Sequence, residues 1–199
     1  KIDPSMFMRE LATYHPSAQE RISSENWNVV GEWVVTLTAN KVYESGNGLP
    51  AIGWHCGTDK GTAHSYLPIY EKTLALIREK PLRLLEIGVW NGASARMWLE
   101  YLPNANIIGI DILNAPRIRN PRFKFHQVSQ TDKDALAKIA ADESLDIIID
   151  DGSHFAKHQR ISFEALWSKV RPGGWYFVED IQSESELAYW EKIPGVTIH

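Results

Sequence analysis

With 199 residues, 44% apolar and 23% charged, the chain is sized for one globular domain with its own core, which excludes intrinsic disorder and folds held by staples. Its 21 basic and 25 acidic residues leave a net charge of −4, which argues against a dedicated nucleic-acid surface. The lone cysteine, Cys56, excludes an internal disulfide and fits a reducing, cytoplasmic setting, and no run approaches the ~20 apolar residues that span a bilayer, so no membrane insertion is expected.

The sequence starts at Lys1 and stops at His199 with the apolar pattern of Val196 and Ile198 still running. The expectation is one domain or an excised piece of a longer protein, with neighbouring domains or a homo-oligomer left open as protein partners. From Met6 to about Ala39 the pattern is mixed, and the segment from Asn26-Trp27 through Trp33-Val34-Val35 predicts an amphipathic helix. Residues 44–50, rich in Gly, Ser, Asn and Pro, predict a loop. Residues 1–56 are read as an N-terminal helical or cap segment and 57–199 as the catalytic core. A helix is predicted over 67–79, stopped by Lys80-Pro81.

After Pro81, short apolar runs at 82–88, 106–112, 123–128, 145–150 and 174–178 alternate with helical segments at 93–102, 132–141 and 155–170. Runs of this kind are strands buried on both faces, and their alternation with helices predicts an open α/β fold: a mainly parallel sheet with helices on both faces. Ligands in such sheets lie beyond the carboxyl ends of the strands. The residues that follow each run are therefore the candidates for function.

The first run leads into Glu86-Ile87-Gly88-Val89-Trp90-Asn91-Gly92-Ala93-Ser94. Gly88 and Gly92 permit a tight strand-to-helix turn and a close approach of ligand to backbone. The Gly-x-x-x-Gly spacing departs from the dinucleotide fingerprint, and Glu86 would repel a phosphate while suiting a cationic ligand. Asp111 closes the second run, where a ribose diol is held in folds of this class. The stretch from Glu86 to Ser94, taken with Asp111, resembles the adenosylmethionine site of the class I methyltransferases. That resemblance implies a Rossmann-like methyltransferase sheet and S-adenosyl-L-methionine as cofactor. Its amino-acid end would lie near Glu86, Gly88 and Gly92, and its ribose hydroxyls on Asp111. The family's adenine contacts follow the third strand, making Gln130 and Asp132 candidates, with a helix-cap role for Thr131 or Asp132 as the alternative.

Asp150-Asp151-Gly152-Ser153-His154 closes the fourth run, and Glu179-Asp180 closes the fifth. Parallel neighbours bring their carboxyl ends together, so Asp151, Glu179 and Asp180 are expected to converge. Three carboxylates repel one another without a cation, and hard oxygen ligands suit magnesium, calcium or manganese. His154, three residues after Asp151, is placed to accept a proton near neutral pH. His154 and His158 at helical spacing would give half a zinc site, but no third nitrogen or second thiol is indicated.

These segments, with His158-Gln159, Ser162-Phe163, Pro172-Gly173-Gly174 and the upstream Gly57-Thr58-Asp59-Lys60-Gly61-Thr62-Ala63-His64, Tyr66 and Tyr70, resemble the magnesium-dependent sugar O-methyltransferases of macrolide and tetracenomycin tailoring. The resemblance implies Asp151, Glu179 and Asp180 as ligands of Mg2+ or Mn2+ and His154 as general base. It also implies an upstream element closing over cofactor and acceptor, with Lys60 and Tyr66 on the cofactor side and Asp59 and His64 as acceptor or lid residues. Trp54 and Trp90 are the tryptophans expected to touch a ligand. The implied function is methyl transfer from S-adenosylmethionine to a hydroxyl of a sugar or glycoside acceptor, such as a rhamnose. The alternatives are a catechol-type O-methyltransferase and a non-catalytic cofactor-binding domain of a larger glycan-assembling protein.

Overall fold

The computed structural model describes residues 48–199; the helix expected near Asn26–Val35 and most of the loop expected over 44–50 lie outside the described residues. Five strands form one parallel sheet in the order β3-β2-β1-β4-β5. They are β1 (Arg83–Ile87), β2 (Asn106–Asp111), β3 (Phe123–Gln127), β4 (Leu145–Asp150) and β5 (Val170–Val178). The helices are α1 (Leu49–Cys56), α2 (Asp59–Thr62), α3 (Leu67–Leu74), α4 (Ala93–Tyr101), α5 (Lys133–Ala137), α6 (Ala156–Leu166) and α7 (Glu184–Trp190).

Side-chain alternation divides the core into two layers. Leu84, Ile107, Ile147 and Ile149 face Leu49, Leu67, Leu74 and Trp98 of α1, α3 and α4. Leu85, Ile87, Ile108, Ile110 and Ile148 face the layer containing Leu136 of α5 and Leu166 of α6. Leu84, Leu85, Ile147, Ile148 and Ile149 are fully buried, and each such side chain contributes about 1.5–3 kcal/mol by leaving water. That is why the inner strands are mostly apolar on both faces rather than alternating strictly with polar residues. The period of two also sends Glu86 to the same side as Leu84, under α4. There it is completely buried and accepts a hydrogen bond from Trp98 Nε1 at 3.1 Å.

The open parallel α/β architecture agrees with the sequence reading, and several local boundaries differ, among them the helix expected over 132–141, which spans only Lys133–Ala137. The stretch read as a loop to Pro50 gives way to α1 at Leu49, with Pro50 in its first turn, where a missing N–H costs nothing. Leu49 and Ile52 are core residues, so α1 belongs spatially to the α/β layer. The helix predicted over 67–79 ends at Leu74 and continues as a 3-10 turn, Ala75–Ile77. The fifth strand starts at Val170 rather than Gly174: Val170 pairs with Leu145 and Trp175 with Ile147, so the irregular stretch 171–174 is a register shift within the strand. Among the described residues no helix is long and apolar enough to cross a membrane.

Candidate active site

A cavity of about 580 Å3 opens at the carboxyl ends of the strands, lined by Gly88, Trp90, Asp111, Gln130, Asp151 and His154 among others. Gly88 sits at φ 83°, and a Cβ there would run into the Asp151 carbonyl. The turn and the close strand-to-strand approach both require glycine. Gly92, at φ 82°, is the N-cap of α4. It lies against Pro116 and Ile118 and is not among the cavity-lining residues, so its part is to turn the chain. Asp111 holds this loop from the neighbouring strand. Its Oδ2 accepts the Val89 and Trp90 N–H groups at 2.9 and 2.8 Å, and its Oδ1 accepts the Leu113 N–H at 2.9 Å. A carboxylate in this position organises the loop and still presents its charge to the cavity.

The floor under Asp151 to His154 is a buried polar network. Asp150 is fully buried; its Oδ2 takes a hydrogen bond from the Ser162 hydroxyl, and its Oδ1 one from Gln130 Nε2 at 3.1 Å. Burial raises its carboxyl to about 6, against the opposing effect of the hydrogen bonds it accepts. Gln130 Oε1 in turn accepts the Ser153 N–H at 2.6 Å. Gln130, expected as an adenine contact, therefore lines the cavity while spending its amide on Asp150 and the Ser153 N–H. Asp132, the other expected adenine contact, is the N-cap of α5, its side chain accepting the Ala135 N–H at 3.0 Å. It does not line the cavity. The capping alternative describes it better.

The acids cluster around a lysine. Lys60 is 1% exposed, and its Nζ donates to Asp151 Oδ2 and, at 2.7 Å, to Glu179 Oε2; Glu86 Oε1 lies 4.0 Å away. The second Glu179 oxygen accepts the hydroxyl of Tyr70, itself wedged between Trp98 and Phe177. Burial works to strip the Lys60 ammonium of its proton, but Glu179, Asp151 and Glu86 outweigh it and hold the group charged. Burial raises the Glu86 carboxyl to about 7 even with Lys60 pulling the other way, and it raises Asp151 in the same sense. Lys60, expected at the cofactor, thus lies beneath the cavity with its donors committed to acids.

Asp180 stands on the other side of this cluster. The Tyr66 hydroxyl donates to its Oδ1 at 2.6 Å, His64 Nδ1 lies 3.7 Å from Oδ1, and His154 Nδ1 lies 3.7 Å from Oδ2. His64 and Tyr66 stack, with ring centroids 4.9 Å apart, so both expected lid or cofactor residues bear on Asp180 rather than on the cavity wall. Asp59 does line the cavity. His154 and Asp180 occupy left-handed backbone, at φ 59° and 54°, which costs a residue with a Cβ of order 1 kcal/mol or more and persists where surrounding contacts over-determine it.

One ligand atom each from Asp151, His154 and Asp180 lies within 4.8 Å of the others, the described group suited to a metal ion. The buried His154 Nδ1 has no hydrogen-bond partner. Two carboxylates and an unpaired imidazole nitrogen form a donor set that fits a divalent cation. Glu179, expected as the third carboxylate ligand, has both oxygens engaged by Lys60 and Tyr70 instead. The sequence reading treated Tyr70 only as part of a motif and gave Asp150 no role. The sole signal for the latter was the Asp150-Asp151 pair, whose members must face opposite sides of a strand.

The profile of a methyltransferase domain family matches residues 85–181. Over 143 residues the chain is 38% identical to a mycinamicin VI 2''-O-methyltransferase of Micromonospora griseorubida, covering 68% of this chain and 35% of that protein. It is 35% identical over 156 residues to the 8-demethyl-8-alpha-L-rhamnosyl tetracenomycin-C 2'-O-methyltransferase of Streptomyces olivaceus, covering 74% of this chain and 40% of that one. A solved MycE methyltransferase of the mycinamycin biosynthetic pathway, in complex with Mg, SAH and mycinamycin VI, superposes with a TM-score of 0.63 at 37% identity, covering 72% of this chain and 40% of that one. The chain therefore spans well under half the length of each of these relatives.

Proposed function

From the premise that this chain belongs to the methyltransferase domain family, we propose that it transfers a methyl group from S-adenosyl-L-methionine to a hydroxyl of a sugar or glycoside, with a divalent metal. The observation that carries the reading is the convergence of Asp151, His154 and Asp180 beside a cavity that begins at Gly88 and Asp111. The named relatives act on glycosylated natural products, which supports a sugar as the acceptor class here, with a deoxyhexose such as rhamnose as the specific proposal. A cytoplasmic location belongs to the same proposal. So does the division into an N-terminal helical or cap segment 1–56 and a catalytic core 57–199.

S-Adenosyl-L-methionine, when bound, supplies a sulfonium-activated methyl group. Gly88 is proposed to lie against its amino-acid portion, with Gly92 turning the chain there and Glu86 buried behind, and Asp111 is proposed to accept from its ribose hydroxyls. Mg2+ or Mn2+ would be held by Asp151 and Asp180, with Glu179 joining them on giving up one of its hydrogen-bond partners, and it would make a neighbouring alcohol more acidic and fix its direction. His154 takes the proton that the alcohol loses. Asp180 lies 3.7 Å from the imidazole. Tyr66 keeps Asp180 turned toward it through their 2.6 Å hydrogen bond.

A divalent cation at this site would accept two adjacent oxygens of one molecule, which makes a vicinal diol the expected acceptor. At saturating cofactor and Mg2+, a rhamnoside should be methylated far faster than its analogue lacking the neighbouring, non-reacting hydroxyl, because the reacting oxygen of the analogue loses its alignment. Equal rates for the two sugars would reject diol chelation. A strong preference for a catechol would replace the sugar as acceptor.

A further inference from the structure

Lys60 has almost no access to water and contacts two acids, and the proposed reaction gives it no task. Its position is fixed by the chain around it. Helix α1 closes in a Schellman turn, the Thr58 N–H on the Gly53 carbonyl and the Gly57 N–H on that of Trp54 at 3.2 and 3.1 Å. This turn delivers the short helix α2 over the strand ends. Thr58 is buried beside it, and the Lys60 carbonyl accepts the Tyr66 N–H at 3.2 Å. The ammonium is thereby planted between Asp151 of the β4 end and Glu179 of the β5 end, with Glu86 of β1 behind it.

We propose that Lys60 is a built-in counter-ion that holds the cation position on Asp151 and Glu179 in the metal-free protein, and that a divalent cation competes with it for those two carboxylates. The inference rests on the metal-dependent reading given above. Glu86, Asp151, Glu179 and Asp180 form an acidic cluster that metal-free protein must neutralise, and Lys60 is the ammonium in contact with it. Glu179, with one oxygen on Lys60 and the other on Tyr70, presents a freed oxygen to a metal by exchanging a partner. A lysine suits exchange, because it is a point charge on a flexible stem and can withdraw without dismantling a bidentate fork. Lys60 therefore stabilises the metal-free fold and weakens metal binding at the same time.

These two opposite effects make the proposal testable in the full 199-residue chain. Metal-free Lys60→Met should melt roughly 10 °C lower, because it leaves buried acids without their partner. Mg2+ should bind the variant about tenfold tighter or more by calorimetry, because a nearby positive charge has gone. Saturating Mg2+ should recover most of the lost melting temperature. In the unsubstituted protein, labelled with 15N-lysine, Mg2+ should shift or broaden the Lys60 ammonium resonance, a readout that does not require the variant to fold. Equal Mg2+ affinities, or an unmoved ammonium resonance in protein that has bound Mg2+, would overturn the exchange and leave the metal reading standing. Absence of Mg2+ and Mn2+ binding from both proteins would overturn the metal reading and the exchange together.

Discussion

Replacing His154 by alanine is expected to slow methyl transfer by roughly 10²–10⁴-fold, the range for removing general-base assistance, with cofactor affinity unchanged. The imidazole is suited to this part. It lies on a residue forced into left-handed backbone, its Nδ1 is free of hydrogen bonds, and Asp180 lies 3.7 Å from it. His158 is a poorer candidate, since its Nδ1 is already paired with the Ser153 hydroxyl at 2.8 Å; His158→Ala should retain most of the rate. Because His154 also belongs to the converging group with Asp151 and Asp180, Mg2+ titration of His154→Ala separates its two possible parts. A general base leaves metal affinity intact, whereas a ligand lowers it along with the rate. A near-normal rate in folded His154→Ala would exclude both.

Asp111→Ala is expected to lower affinity for S-adenosylmethionine by roughly 10²-fold, the loss of one or two hydrogen bonds to a charged group. Two contributions add in the same direction. The carboxylate proposed to face the ribose is removed, and the Val89, Trp90 and Leu113 N–H groups lose their acceptor, so the glycine loop is freed on the cavity side. Asp111→Asn separates them: one amide oxygen can still accept from the loop, so Asn should recover the fold's melting temperature more fully than it recovers affinity. Calorimetry with S-adenosylhomocysteine gives the affinity. Wild-type affinity in the alanine variant would remove Asp111 from the cofactor site.

The central strands were readable because strands covered on both faces must be apolar on both. The run at 145–150 coincides with β4, fully buried along its length. The start of β5 was not readable, since Pro172-Gly173-Gly174 carries the composition of a loop while the register shift makes it a bulge within a strand. Helix α1 was hidden for a related reason: Gly48 and Pro50 look like turn residues, and only the burial of Leu49 and Ile52 shows that they open a helix. Asp132 was legible as a cap because capping is local, three residues from donor to acceptor. The partners of Lys60 were illegible because they lie 91 and 119 residues further along the chain, and no local pattern distinguishes a lysine that meets acids from one that meets a ligand. The candidate chemistry at the strand ends was visible as residue types; the division of the acids between Lys60 and the Asp151–His154–Asp180 group required the fold.

The most direct measurement of metal-dependent sugar methylation is transfer of an isotopically labelled methyl group from S-adenosylmethionine to a rhamnoside by this chain, assayed with Mg2+ and again with excess chelator. The account predicts labelled O-methyl rhamnoside with Mg2+, loss of product in chelator, and recovery when Mg2+ or Mn2+ is restored. Undiminished transfer in chelator would contradict the metal's part, and no labelled sugar with Mg2+ and cofactor at saturation would contradict the activity itself.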